Sequence, residues 1–93
     1  MNITYDQLVQ TINDASAVIV DFDALTFPYI DEDERYIELS WDSPDGFTQH
    51  YIYESDIKDI TFNNEHNWYS VNFENGRCII IQPLVVAQPM VTA

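Results

Sequence analysis

Two sets of residues in this 93-residue chain have the types and spacing that phosphoryl-transfer or hydrolytic chemistry uses. Asp21 and Asp23 stand two apart at the end of the apolar run Ala17-Val18-Ile19-Val20, with Thr26 behind them. Carboxylates are among the side chains that act as covalent nucleophiles or as ligands of Mg²⁺. Pro44-Asp45 with Asp56-Ile57-Lys58 is the other set, two acids and a lysine. The run Asp31-Glu32-Asp33-Glu34 has the carboxylate density of a calcium loop. A calcium loop opening at Asp31 needs Gly at its sixth position and Glu at its twelfth, which here are Tyr36 and Asp42. His50 and His66 lack companions at metal-ligand spacing, and Cys78 is single. No Ser-His-Asp set or glycine-rich phosphate loop is present. The expectation is a chain with no catalytic residue, no cofactor and no metal site.

The segment Ala17 to Thr26 resembles the first motif of haloacid-dehalogenase-type phosphotransferases. That resemblance implies Asp21 as nucleophile, with Mg²⁺ held between Asp21 and Asp23. Thr26 follows the second acid by three residues, where that family's threonine follows by two. The family's fold also needs parallel strands joined by helices and a later lysine, and only one helix is legible here. The Asp45, Asp56 and Lys58 set resembles the PD-(D/E)xK nuclease signature. Pro44-Asp45-Gly46 is also complete turn chemistry. A metal-dependent phosphotransferase or nuclease stands as the alternative of another class.

Charge points elsewhere. Sixteen acids against three bases give a net charge of −13, and such self-repulsion weakens the compact state. A solubility surface, adaptation to salt and a basic partner each account for it. Nucleic acid and anionic membrane are excluded as direct partners, because phosphates are repelled. Nine of the acids fall between Asp21 and Asp45, against the single cation Arg35. Alternate residues on one face of a strand lie about 6.6–7 Å apart, too sparse to match the phosphate spacing of about 3.4 Å along a DNA strand. Two neighbouring strands and a loop approach that density. The candidate partner-binding residues are therefore Asp21, Asp23, Asp31, Glu32, Asp33, Glu34, Glu38, Asp42 and Asp45. Tyr36 and Trp41 are the aromatic anchors and Tyr29 interleaves with the acids.

By size, charge and single compact domain the chain is similar to the small acidic DNA-mimic inhibitors of mobile elements, the anti-restriction and anti-CRISPR proteins. The likeness is one of class, without a shared motif. It implies a non-catalytic inhibitor that blocks the DNA- or RNA-binding surface of a basic enzyme. Bacterial immunity proteins that neutralise basic nuclease toxins look similar for the same electrostatic reason. A charge-solubilised assembly subunit joined through its uncharged tail is a further alternative.

The elements that must position these residues read as one α+β domain: a helix over 3–15, an antiparallel sheet of five or six strands over 17–82, and a tail over 83–93. Hydrophobic residues are 46% and aromatics 14%, far above what a disordered chain carries. Thr4 and Gln7 form a capping box, Ile3 and Leu8 a staple, and Tyr5, Leu8, Val9 and Ile12 one apolar stripe. Ala17 to Asp23 alternates as a strand with Asp21 and Asp23 outward. Tyr36 to Asp42 sends Ile37, Leu39 and Trp41 one way and Glu38, Ser40 and Asp42 the other, and Phe47 to Glu54 returns beside it. Asn75-Gly76 predicts a two-residue hairpin turn that sets Phe73 opposite Cys78 and Val71 opposite Ile80, with Cys78 an inert core thiol. The lone cysteine fits a reducing cytoplasm. The first ten residues lack the pattern of a signal peptide. Pro83 and Pro89 interrupt the apolar stretch from Cys78 to Ala93, so no membrane span is expected there.

Overall fold

The computed structural model describes residues 2–85. Helix α1 covers Tyr5–Asp14 and starts where its caps dictate. The Thr4 hydroxyl accepts from the Gln7 backbone N–H at 3.1 Å, and the Gln7 side chain accepts from the Thr4 N–H at 2.9 Å. Two orphan donors of the first turn are thereby satisfied. Tyr5, Leu8 and Ile12 on its apolar stripe are buried, with Val9 half-buried beside them.

Among the described residues eight strands follow: β1 Ala17–Val20, β2 Ala24–Thr26, β3 Tyr29–Asp31, β4 Tyr36–Ser43, β5 Gly46–Tyr53, β6 Ile57–Asn63, β7 Trp68–Phe73 and β8 Cys78–Leu84. They form two sheets, a five-stranded one in the order β2-β1-β8-β7-β6 and a three-stranded one in the order β3-β4-β5. Every pairing is antiparallel. The fold is α+β with one N-terminal helix among the described residues, and the single sheet expected from sequence is replaced by two. Phe27-Pro28 marks the division between β2 and β3, since proline cannot carry a ladder through. The Thr26 side chain, buried, donates to the Ser40 carbonyl and ties β2 to β4 across the break.

One core lies between the sheets. Ile37, Leu39 and Ile52 of the small sheet meet Val18, Val20, Ile60, Val71 and Ile81 of the large one, with Leu8 and Ile12 of the helix. Pro83, expected in the tail, is a buried residue of β8, which runs two residues past the expected end of the sheet. Residues 86–93 of the expected tail lie outside the described residues.

Two local expectations are corrected. Asp21 and Phe22 have φ of 51° and 65°, and the Asp23 N–H donates to the Val20 carbonyl at 3.1 Å. Consecutive positive φ values mark a type I′ turn. Asp21 and Asp23 therefore belong to a hairpin turn, not to the outward face of a strand continuing to Asp23. At the β7–β8 hairpin, Gly76 with φ of 87° donates to the Phe73 carbonyl at 3.0 Å, and the Phe73 N–H reaches the Arg77 carbonyl at 2.9 Å. This is a three-residue loop with a left-handed glycine, not the two-residue turn. The extra residue shifts the register by one, so Val71 pairs with Ile79 and Asn72 with Cys78. A one-residue shift turns a strand over. Ile79 and Ile81 join the core, and Cys78 is exposed rather than buried.

Replacing Leu39, fully buried on β4, by Ala should cost about 2–5 kcal/mol of stability in a denaturant titration. A loss below about 1 kcal/mol would mean that the small sheet does not share the core of the large one.

Candidate functional site

The acidic segment is built mainly on the three-stranded sheet. Asp31 closes β3, and Glu32, Asp33 and Glu34 form the tip of the β3–β4 hairpin. The Asp31 carboxylate shapes that tip by accepting the backbone N–H groups of Asp33 at 3.0 Å and Glu34 at 2.9 Å, a local bond that aspartate makes readily. Glu38 and Asp42 lie along β4, and Asp45 sits with Pro44 in the turn between β4 and β5. Six residue-to-residue steps of strand separate Tyr36, opposite Asp31, from Asp42, or about 20 Å at the usual rise. The acids thus span one sheet from tip to tip.

Asp21 and Asp23 do not share that sheet. The neighbours of β1 are β2 and β8, so Asp21 and Asp23 do not stand on a strand beside the acids of β4. Asp21 is also occupied: its Oδ1 accepts the Ile80 N–H at 2.9 Å and its own N–H donates to the Ile80 carbonyl at 2.9 Å. The parallel frame implied by the phosphotransferase resemblance is absent among the described residues. Nor do three or more His, Cys, Asp or Glu side chains converge as a ligand set there.

The register of β3, β4 and β5 decides what surrounds the acids. One row across the sheet reads Asp31, Tyr36, Tyr53; the next reads Tyr29, Glu38, Tyr51. Paired residues share a face, so four tyrosines and two carboxylates alternate in a grid on the side away from the core. Tyr36 is the hub, its ring 5.2 Å from that of Tyr53, 5.7 Å from Tyr51 and 6.4 Å from Tyr29. Tyr29 and Tyr51 are 56% and 45% exposed, and Phe47, opposite Asp42, is 63% exposed. Partial burial, then the charges of Asp31, Glu34 and Glu38 and the neighbouring Tyr29, raise the Tyr36 pKa above the ordinary phenol range, so its hydroxyl stays a neutral donor.

Trp41 takes a different place. It lies on the inner side of β4 with Ile37 and Leu39, half-buried against the core and stacked on His50 at 5.5 Å. The outer face, which Trp41 does not reach, carries Tyr29, Tyr51 and Tyr53 instead. Their signal was present in the sequence: Tyr51 and Tyr53 alternate with buried Ile52, and their distance from the Pro44-Asp45 turn sets which β4 residue each one faces.

Arg35, the only cation within the acidic segment, is consumed internally. Its Nε and Nη2 donate to the two oxygens of Glu54 at 2.6 and 2.7 Å, and Nη2 also donates to Asp6 at 2.8 Å. Its guanidinium lies 5.0 Å from the centre of the Tyr5 ring. The bidentate bond from Arg35 holds the Glu54 carboxyl below its usual range. A groove of about 400 Å³ lies behind β5, lined in part by Asp21, His50, Asp56, Arg77 and Cys78. Burial and then Asp21 and Asp59 raise the Cys78 pKa, which disfavours the reactive thiolate.

No protein-family model, curated protein or solved structure matches the chain. No helix among the described residues is long and apolar enough to cross a membrane.

A carboxylate whose folded pKa is lowered adds stability above its unfolded pKa and loses it as pH falls through the folded value. The stability gap between the native protein and Glu54→Gln should therefore be full at neutral pH and close progressively as pH falls below the ordinary glutamate value of 4.5. Urea midpoints measured from neutral to acid pH check this. A gap that widens on acidification would show that the Arg35–Glu54 pair does not act this way.

Proposed function

We propose that this protein is a non-catalytic acidic inhibitor. It binds a basic nucleic-acid-processing enzyme and covers the surface on which that enzyme holds DNA or RNA. The observation that carries this reading is the collection of Asp31, Glu38 and Asp42 on one exposed sheet face, extended at either end by Glu32, Asp33 and Glu34 and by Asp45. With Arg35 engaged by Glu54 and Asp6, no cation within the segment cancels the field over that face.

Carboxylates spread over about 20 Å on β3, β4 and their turns present an extended negative stretch to a cationic groove. Such a field speeds encounter with a basic groove and weakens as salt rises. The rigid sheet supplies what a charged loop alone lacks, namely fixed spacing and aromatic area for contact. Asp21 and Asp23, in the turn of the other sheet, lie outside the proposed footprint.

Immobilised protein should retain from a bacterial lysate a nucleic-acid enzyme that high salt elutes and that duplex DNA displaces. The purified enzyme should then bind the combined variant Asp31→Asn, Glu32→Gln, Asp33→Asn and Glu34→Gln at least about tenfold more weakly at low salt. Binding indifferent to both DNA and salt, or undiminished in the variant, would sink the proposal.

A further inference from the structure

We infer that the outer face of the three-stranded sheet is selective for arginine: the grid of Tyr29, Tyr36, Tyr51 and Tyr53 around Asp31 and Glu38 receives guanidinium groups of a basic protein partner in preference to lysine ammonium groups. This deepens the inhibitor reading and rests on it for the kind of partner.

The argument begins with spacing. Neighbouring strands lie about 4.8 Å apart and alternate residues about 7 Å apart, so every carboxylate in the grid has aromatic rings on adjacent positions. A group entering beside Asp31 or Glu38 therefore meets a negative oxygen and a ring face together. Guanidinium is planar, weakly hydrated and forked, so it stacks on a ring while its N–H groups meet a carboxylate. Ammonium is compact and strongly hydrated, and gains less from the rings.

The two acids are held ready. Asp31 Oδ1 is engaged by the hairpin-tip N–H groups, and Glu38 Oε1 accepts from Gln49 Nε2 at 3.1 Å. Asp31 Oδ2 and Glu38 Oε2 have no hydrogen-bond partner among the described residues. Each carboxylate is thus oriented through one oxygen and offers the other. The rings are preordered too, since Tyr36 touches the other three and Tyr51 lies 6.3 Å from Tyr53 in stacked orientation. Ordering before contact lowers the entropy lost on binding.

Other occupants fit less well. A second copy of the chain brings another −13, and a nucleic acid brings phosphates to carboxylates. The protein's own remaining cations, Lys58 and Arg77, sit on β6 and in the β7–β8 loop, in the other sheet.

Matched oligo-arginine and oligo-lysine peptides of equal length, titrated by fluorescence anisotropy against the whole protein, provide the test. The arginine peptide should bind about tenfold more tightly, from one or two cation–ring contacts. In the double variant Tyr29→Leu/Tyr51→Leu, checked for an unchanged melting temperature, the ratio should fall to about one, with lysine-peptide binding unaltered. The single variant Tyr51→Leu serves if the double variant melts early. Equal affinities for the native protein, or a preference that survives loss of the rings, would overturn arginine selectivity and leave the acidic footprint standing. Failure of both peptides to bind at low salt would overturn selectivity and footprint together.

Discussion

Both ion pairs among the described residues run through Arg35. In a chain with sixteen acids and three bases, that one guanidinium joins three separate pieces of structure. Its side chain holds Glu54, at the corner leaving β5, and Asp6, in the first turn of α1. Its backbone carbonyl accepts the Glu54 N–H at 3.0 Å, and its own φ of 56° bends the chain out of the acidic hairpin tip into β4. A non-glycine residue in the left-handed region is uncommon, and here side chain and carbonyl both bind the same partner. The helix, the hairpin carrying Asp31 to Glu34, and the β5–β6 corner are thereby held in one arrangement.

That arrangement explains how so much like charge is tolerated. Apolar burial between the two sheets supplies the cohesion, and the acids occupy turns, strand faces and hairpin tips where water screens them. Several also perform local work. Asp31 shapes its turn, Asp21 fixes Ile80 on β8, and Asp59 accepts from Asn72 across the β6–β7 pair at 2.7 Å. The side chains of Glu32, Asp33, Glu34, Asp42 and Asp45 make no such bond among the described residues and are exposed to solvent. The sheet face between the tips differs again, because exposed tyrosines there add contact area to charge. That mixture of charge and rings is what supports the proposed cationic protein partner.

Much of the scaffold is legible from residue order because its causes are local. The capping box of Thr4 and Gln7, the apolar stripe of α1, the alternation of Tyr36 to Asp42 and the Pro44-Asp45 turn each act within a few residues. The β7–β8 register was misread because Asn75-Gly76 serves two hairpin types. Which of them forms depends on how Ile79 and Ile81 pack over the core, a contact from distant strands. Asp21 was misread for a related reason. An apolar run ending in Asp-Phe-Asp alternates like a strand, while the turn is revealed by the pairing of Val20 with Ala24.

By itself, residue order determined the sign and size of the charge, the helix with its caps, the α+β composition and the two-faced character of β4, since each follows from short-range chemistry or simple summation. Tertiary structure alone decided that the strands divide into two sheets, that Arg35 is spent on Glu54 and Asp6, and that Asp21 and Asp23 part from the other acids. It also decided that Tyr51 and Tyr53 flank Glu38 and Tyr36 on an open face. These outcomes depend on which strands become neighbours, and that choice is made by burial of Ile37, Leu39 and Ile52 against residues far away in the chain.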